Sequence, residues 1–217
     1  ESLSKYISGA ILFDETIRQK TNDNSTFPEF LNNIGIMPGI KVDTGAKDFS
    51  CHANEKITEG LDNLSQRMRD YKSIGAKFAK WRAVITIGDK IPSLACMVAN
   101  SHALARYASI CQEVDIVPIV EPEVLMDGSH DIKKCFEVTN EMQSTLFEEL
   151  DKLNIVNSGI ILKPNMITPG STCEDKVVAE KIAEFTVRCL ANNIPKDVPG
   201  IAFLSGGQSD QDASNNL

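Results

Sequence analysis

Polar residues recur two apart at the ends of otherwise apolar runs: Lys41 and Asp43, Lys80 and Arg82, Glu121 and Glu123, Lys163 and Asn165, with Ser205 two positions after Phe203. In an extended strand, residues i and i+2 share a face, so each pair is expected to point one way. Solvated strand ends do not account for four successive runs of this kind, because a lysine within a buried strand is costly unless paired. Lys41, Lys80, Arg82 and Lys163 set against Asp43, Glu121 and Glu123 would form a near-neutral cluster with a slight basic excess. Such a cluster suits an anionic substrate. Its chemistry is that of an amine and a carboxylate. A lysine amine attacks a carbonyl to form a Schiff base, and burial or a neighbouring cation such as Lys80 keeps that amine deprotonated. A carboxylate then moves protons to and from the departing water. The resulting iminium accepts electrons from an adjacent C–C bond, which points to aldol or dehydratase chemistry.

Other residue types exclude alternatives. His52, His102 and His130 lie far apart and read as surface or helix-face residues. No H-E-x-x-H or Cys/His cluster occurs, so no metal site is expected. The six cysteines form no C-x-x-C, and Cys96, Cys111, Cys135 and Cys189 sit in amphipathic patterns as small hydrophobes. Free thiols in a reducing cytoplasm are expected. The methionines read as core filler. A net charge of -8 argues against nucleic-acid binding. No apolar run is long enough for a membrane span, and Glu1–Lys5 does not resemble a signal peptide.

The elements that must position the cluster follow from hydropathy patterning. Strands are expected at Ile7–Phe13, Gly39–Val42, Phe78–Ile85, Ile116–Val124, Gly159–Asn165 and Ile201–Ser205, most of them rich in Ile and Val and bounded by Gly or Pro. Helices are expected at Ile57–Ile74, Pro92–Val114, Asp131–Leu153 and Cys173–Asn193, with Thr16–Leu31 unclear around an Asn22–Ser25 loop and a polar helix start at Ser209–Ser214. Strands alternating with helices imply βα units and a parallel α/β sheet. A doubly wound sheet and a barrel both fit. The lack of a G-x-G-x-x-G or G-x-x-x-x-G-K-[ST] loop favours the barrel, in which strand-end residues converge on one mouth. Trp81 should then face away from Lys80 and pack on helices.

The strings Pro38-Gly-Ile-Lys-Val-Asp43, Phe78-Ala-Lys-Trp-Arg82, Leu104-Ala-Arg-Tyr-Ala-Ser-Ile-Cys111, Ile116-Val-Pro-Ile-Val-Glu-Pro-Glu123, Leu162-Lys-Pro-Asn165 and Phe203-Leu-Ser-Gly-Gly-Gln208 closely resemble class I fructose-bisphosphate aldolase, in order and over essentially the whole chain. The resemblance implies a (βα) TIM barrel and a reversible cleavage of fructose 1,6-bisphosphate into dihydroxyacetone phosphate and glyceraldehyde 3-phosphate. It implies Lys163 as the Schiff-base lysine and Glu121 as the general acid and base. Glu123 lies beside the imine, and Lys80 is the neighbouring cation. It further implies substrate contacts at Lys41 and Arg82, and a phosphate loop at Ser205 and Gly206. It implies no metal or organic cofactor, a cytoplasmic homotetramer, and cytoskeletal protein partners, with no nucleic acid or membrane partner.

The family's barrel has a strand before Ile7 and another after Leu217. The expectation is therefore six of eight strands, forming one incomplete barrel domain over 1–217. The family's first-strand acid, last-strand phosphate-binding arginine and C-terminal tyrosine have no counterpart here. One alternative is therefore an inactive aldolase portion that keeps only a ligand- or protein-binding surface. Another is a different Schiff-base barrel such as deoxyribose-phosphate aldolase, against which the Phe78–Arg82 and Ile119–Glu123 strings argue.

Overall fold

The computed structural model describes residues 3–217, so the reading of Glu1 and Ser2 lies outside the described residues. Strand β1 (Gly9–Leu12) leads through two short helices, α1 (Asp14–Ile17) and α2 (Phe27–Asn33), to β2 (Met37–Lys41). A hairpin of β3 (Gly45–Asp48) and β4 (Lys56–Glu59) precedes α3 (Leu64–Ser73) and β5 (Phe78–Ile85). Then follow α4 (Leu94–Glu113), β6 (Val117–Val124), α5 (Ile132–Lys152), β7 (Ile161–Leu162), α6 (Ala179–Asn193) and α7 (Asp210–Asn216).

One parallel sheet runs in the order β1-β2-β5-β6-β7. The segment from Ile201 joins next to β7 through a parallel bridge to Leu162, with Ala202 N–H donating to Leu162 O at 2.9 Å. A doubly wound sheet reverses its strand order at a switch point. This sheet advances strictly in chain order, as a barrel wall does.

Alternation along β5 sorts its residues between two faces. Ala79, Trp81, Ala83 and Ile85 are buried in the core beneath the helices, and Trp81 stacks on Tyr107 of α4 at 5.7 Å between centroids. Phe78, Lys80 and Arg82 take the opposite face. There the Phe78 ring lies against the backbone of Gly39 and Gly9, so closely that a Cβ on Gly39 would come within 2.3 Å of it. Caps begin the main helices: the side chains of Ser93 and Asp131 accept from the N–H groups of Cys96 and Lys134, and Thr26 with Glu29 forms a capping box on α2.

Four expected elements are corrected. The helix expected from Ile57 begins only at Leu64, because Lys56–Glu59 pairs with Gly45–Asp48 as an antiparallel hairpin. Gly60, at φ +128, turns the chain where no Cβ fits, and β-branched Ile57 and Thr58 suit the strand before it. The stripe Leu64, Met68 and Tyr71 does pack into the core. The helix expected from Cys173 starts at Ala179, after a turn in which Cys173 N–H donates to Gly170 O. The strand expected over Gly159–Asn165 keeps two ladder residues, because a 3₁₀ turn occupies Asn157–Gly159 and neither Pro122 on β6 nor Pro164 has an N–H to continue the pairing. The strand expected at Ile201–Ser205 is reduced to its bridge at Ile201. Among the methionines, Met68, Met97, Met142 and Met166 fill the core, whereas Met37 is exposed.

Candidate active site

The strand ends on the Lys80 face open into a cavity of about 660 Å³ lined by Lys80, Arg82, Glu121, Glu123, Lys163, Ser205 and Gly206. Asp127, Phe203 and Gly207 also line it, none of which stood out in the sequence as a polar strand-end pair. Its centre is Glu121. One carboxylate oxygen accepts from Lys163 Nζ at 2.5 Å, and the other lies 3.2 Å from Lys80 Nζ. Glu121 is 2% exposed, so both charges reach it in a largely water-excluded setting. Beside it Glu123 pairs with Arg82 Nε. Burial pulls the Arg82 guanidinium down, but the bond to Glu123 and the charges of Glu123, Glu121 and Asp43 outweigh it and hold Arg82 above its ordinary value. Arg82 is a permanent cation here.

Lys41 is Lys80's register partner across β2 and β5, but it is not among the cavity-lining residues. Its Nζ is held by Asp43, at 2.6 Å from Oδ1 and 3.0 Å from the backbone oxygen. The buried Asp43 carboxylate also takes the N–H groups of Gly45 (3.2 Å) and Arg82 (3.4 Å). Asn165 departs from its expected partnership with Lys163. Its side chain bonds Val124 N–H on β6 and Thr139 on α5, because the chain leaves the sheet at Pro164 and strict alternation ends there. Ser205 and Gly206 lie at the cavity rim, where Gly206 at φ +63 and Gly207 at φ +91 take left-handed backbone that favours glycine.

Elsewhere among the described residues, no carboxylate pairs with two lysine amines as Glu121 does. A cavity of about 740 Å³ is lined by Arg67, His102 and Arg106 with Glu59 and Asp62, and it contains no lysine amine. His52 stacks on Phe49, and His102 bonds Glu149 at 2.9 Å. His130 is partly buried, and both of its ring nitrogens are without a hydrogen-bond partner. Burial raises the thiols of Cys96, to about 11, and of Cys189, to about 12, and also pushes up Cys111 and Cys135; all four are unbridged. Thiols so raised are poor nucleophiles. Among the described residues, no group of three or more His, Cys, Asp or Glu side chains is placed to hold a metal ion. No helix among them is long and apolar enough to cross a membrane.

Comparison with known proteins gives a consistent result. The Glycolytic family model, described as fructose-bisphosphate aldolase class-I, matches residues 1–217. A probable fructose-bisphosphate aldolase class 1 of Xanthomonas axonopodis pv. citri is 55% identical over 215 residues, covering 99% of this chain and 64% of that protein. The cytosolic fructose-bisphosphate aldolase 5 of Arabidopsis thaliana is 52% identical over 211 residues, covering 97% of this chain and 59% of that protein. Among solved structures, fructose-bisphosphate aldolase from Plasmodium falciparum, in complex with TRAP and a small-molecule inhibitor, superposes with a TM-score of 0.97 at 44% identity. That match covers 100% of this chain and 63% of the other. The fold is therefore the α/β fold of TIM-barrel type, and the chain spans less than two thirds of the length of these relatives.

Proposed function

The chain belongs to the class I fructose-bisphosphate aldolase family, and from that premise we propose that it carries the Schiff-base centre for reversible cleavage of fructose 1,6-bisphosphate to dihydroxyacetone phosphate and glyceraldehyde 3-phosphate. The observation that carries the proposal is the Glu121 carboxylate held between Lys163 and Lys80, at 2.5 and 3.2 Å.

In this reading the Lys163 amine attacks the substrate ketone carbon. Glu121 hands a proton to the carbinolamine hydroxyl, which leaves as water. The iminium draws in the electron pair of the adjacent C–C bond as that bond breaks, the hydroxyl on the departing carbon gives its proton to the now ionised Glu121 and becomes the carbonyl of the aldehyde product, and an enamine remains on Lys163. Protonation and hydrolysis of the enamine release dihydroxyacetone phosphate and restore the amine. Lys80 holds charge beside the nucleophile, and Glu123 with Arg82 fixes the network's far side. Ser205 and Gly206 supply a hydroxyl and close backbone approach for phosphate. Lys41 contributes positive charge one strand away. No cofactor takes part in these steps. The proposal extends to one barrel domain over 1–217, a cytoplasmic homotetramer, and a protein partner. The ground for the last is the Plasmodium falciparum neighbour solved with TRAP.

Borohydride reduction in the presence of dihydroxyacetone phosphate tests the assignment. The adduct is expected on Lys163, and labelling of Lys80 or Lys41 instead would overturn it. A second reading rests on coverage, since the chain matches 64% of the Xanthomonas relative. In that reading the 217 residues by themselves form the imine or bind ligand without efficient C–C cleavage. Turnover of fructose 1,6-bisphosphate by the 217-residue chain, beside a full-length relative, decides between the two.

A further inference from the structure

We infer that Asn165 is a positioning residue for Lys163, holding the segment that bears the amine against the strand that bears Glu121 and Glu123. The inference rests on the reading of Lys163 as the covalent residue and adds to it the group that sets its placement.

Backbone bonds hold both sides of Lys163 unequally: Ala202 N–H to Leu162 O at 2.9 Å and Leu204 N–H to Pro164 O at 3.3 Å flank it on one side, but the ladder to the carboxylate strand β6 is short. Pairing of β6 with β7 covers only Ile119↔Ile161 and Val120↔Leu162, and its last bond is Lys163 N–H to Val120 O at 2.8 Å. The next donor in that ladder would be Pro122, two residues beyond Val120 on β6, and proline has no N–H. Strand β6 nevertheless runs on to Val124, through both carboxylates. The buried Val124 N–H needs an acceptor, since an unpaired buried donor is costly. Asn165 supplies it: Oδ1 accepts from Val124 N–H at 3.0 Å. Its Nδ2 donates to Thr139 Oγ1 on α5 at 3.2 Å and to Met166 O at 3.1 Å. The side chain thus extends the β6–β7 ladder past the point where the backbone ends it. Asn165 is 5% exposed, so water does not compete for these bonds. Two residues on, Ile167 N–H donates to Thr186 Oγ1 of α6 at 2.9 Å, which secures the segment from its other end. The Val124 bond is the one that ties it to the carboxylate strand beyond Val120. It acts one residue from Glu123 and two from Lys163.

Three variants of the natural protein separate positioning from stability. The readout is the rate of borohydride trapping with dihydroxyacetone phosphate, beside the melting temperature. Asn165→Leu keeps the volume and loses every bond, and trapping on Lys163 should slow about 10²-fold, the order expected from an ångström of misplacement. Asn165→Asp keeps an acceptor for Val124 N–H and should recover most of that rate, although its lost donors lower the melting temperature. Thr139→Val removes only the α5 anchor and should melt earlier while trapping at the wild-type rate. If Asn165→Leu does not fold, Asn165→Ser, too short to reach Val124, takes its place with the same expectation. A trapping rate that follows melting temperature across all variants, or a wild-type rate in Asn165→Leu, would overturn the inference. Mapping the wild-type adduct comes first: a label on a lysine other than Lys163 would overturn the underlying assignment instead.

Discussion

The Glu121 carboxylate accepts from the Lys163 amine at 2.5 Å, across 42 residues of sequence and the gap between β6 and the end of β7. With Lys80 on its other oxygen, Glu121 holds two cations at once. A single proton carrier between an amine and a second cation is the arrangement that carbinolamine dehydration needs. Glu121→Gln keeps the shape and removes both the charge and the exchangeable proton. Cleavage of fructose 1,6-bisphosphate should fall by about 10² to 10⁴-fold, the usual weight of a positioned acid–base group. Steady-state kinetics measure it, and a variant within threefold of wild type would remove Glu121 from the proton path.

Lys163→Arg tests the nucleophile itself. Arginine keeps the positive charge beside Glu121 but has no free amine at neutral pH. The variant should fold and give no reducible adduct with dihydroxyacetone phosphate. An adduct of wild-type yield, located by peptide mass spectrometry, would place the covalent chemistry elsewhere.

How far the sequence could be read depended on how regular the local backbone is. Strand β5 falls at its expected bounds, Phe78–Ile85, because an alternating stretch from Phe78 to Ala83 runs on into β-branched Val84 and Ile85. Helices α4 and α5 match their expected extents closely for the same reason, at the helical period. The β3–β4 hairpin was missed, since Ile57, Leu61, Leu64 and Met68 also satisfy a helical stripe; Gly60 beside β-branched residues was the available signal. Lys80, Arg82, Glu121 and Glu123 come together as i, i+2 pairing within intact strands requires. Asn165 does not join Lys163, because the rule applies only while the chain stays in the sheet, and Pro164 marked its exit. That Asp43 would hold Lys41 outside the cavity lining follows from side-chain bonds that spacing does not encode.

Gly39 lies under the Phe78 ring, and an added Cβ would come within 2.3 Å of it. Gly39→Ala should therefore destabilise the protein by about 1 to 3 kcal/mol through overpacking. Phe78→Leu in the same chain should return part of that loss. Urea denaturation of both single variants and the double variant gives the coupling. Strict additivity would show that the ring is not the obstacle.

His130 provides a pH signature of the loop that follows β6. Both of its ring nitrogens lack partners, and burial lowers its pKa below the ordinary 6.5, with the charge of Asp131 opposing only in part. The folded protein therefore holds His130 neutral at a pH where the unfolded chain already binds a proton. By linkage, stability is intact above the unfolded value and declines as pH falls through about 6.5 toward the lower folded value. The wild type alone does not isolate the effect from the protein's other ionisable groups. His130→Gln removes one titration and leaves the others. The stability difference between wild type and this variant should shift against the wild type between pH 7.5 and 5.5, read from urea midpoints at matched ionic strength. A difference that stays constant over that interval would mean that the folded loop accommodates the imidazolium, and that the unpartnered nitrogens find an acceptor once charged.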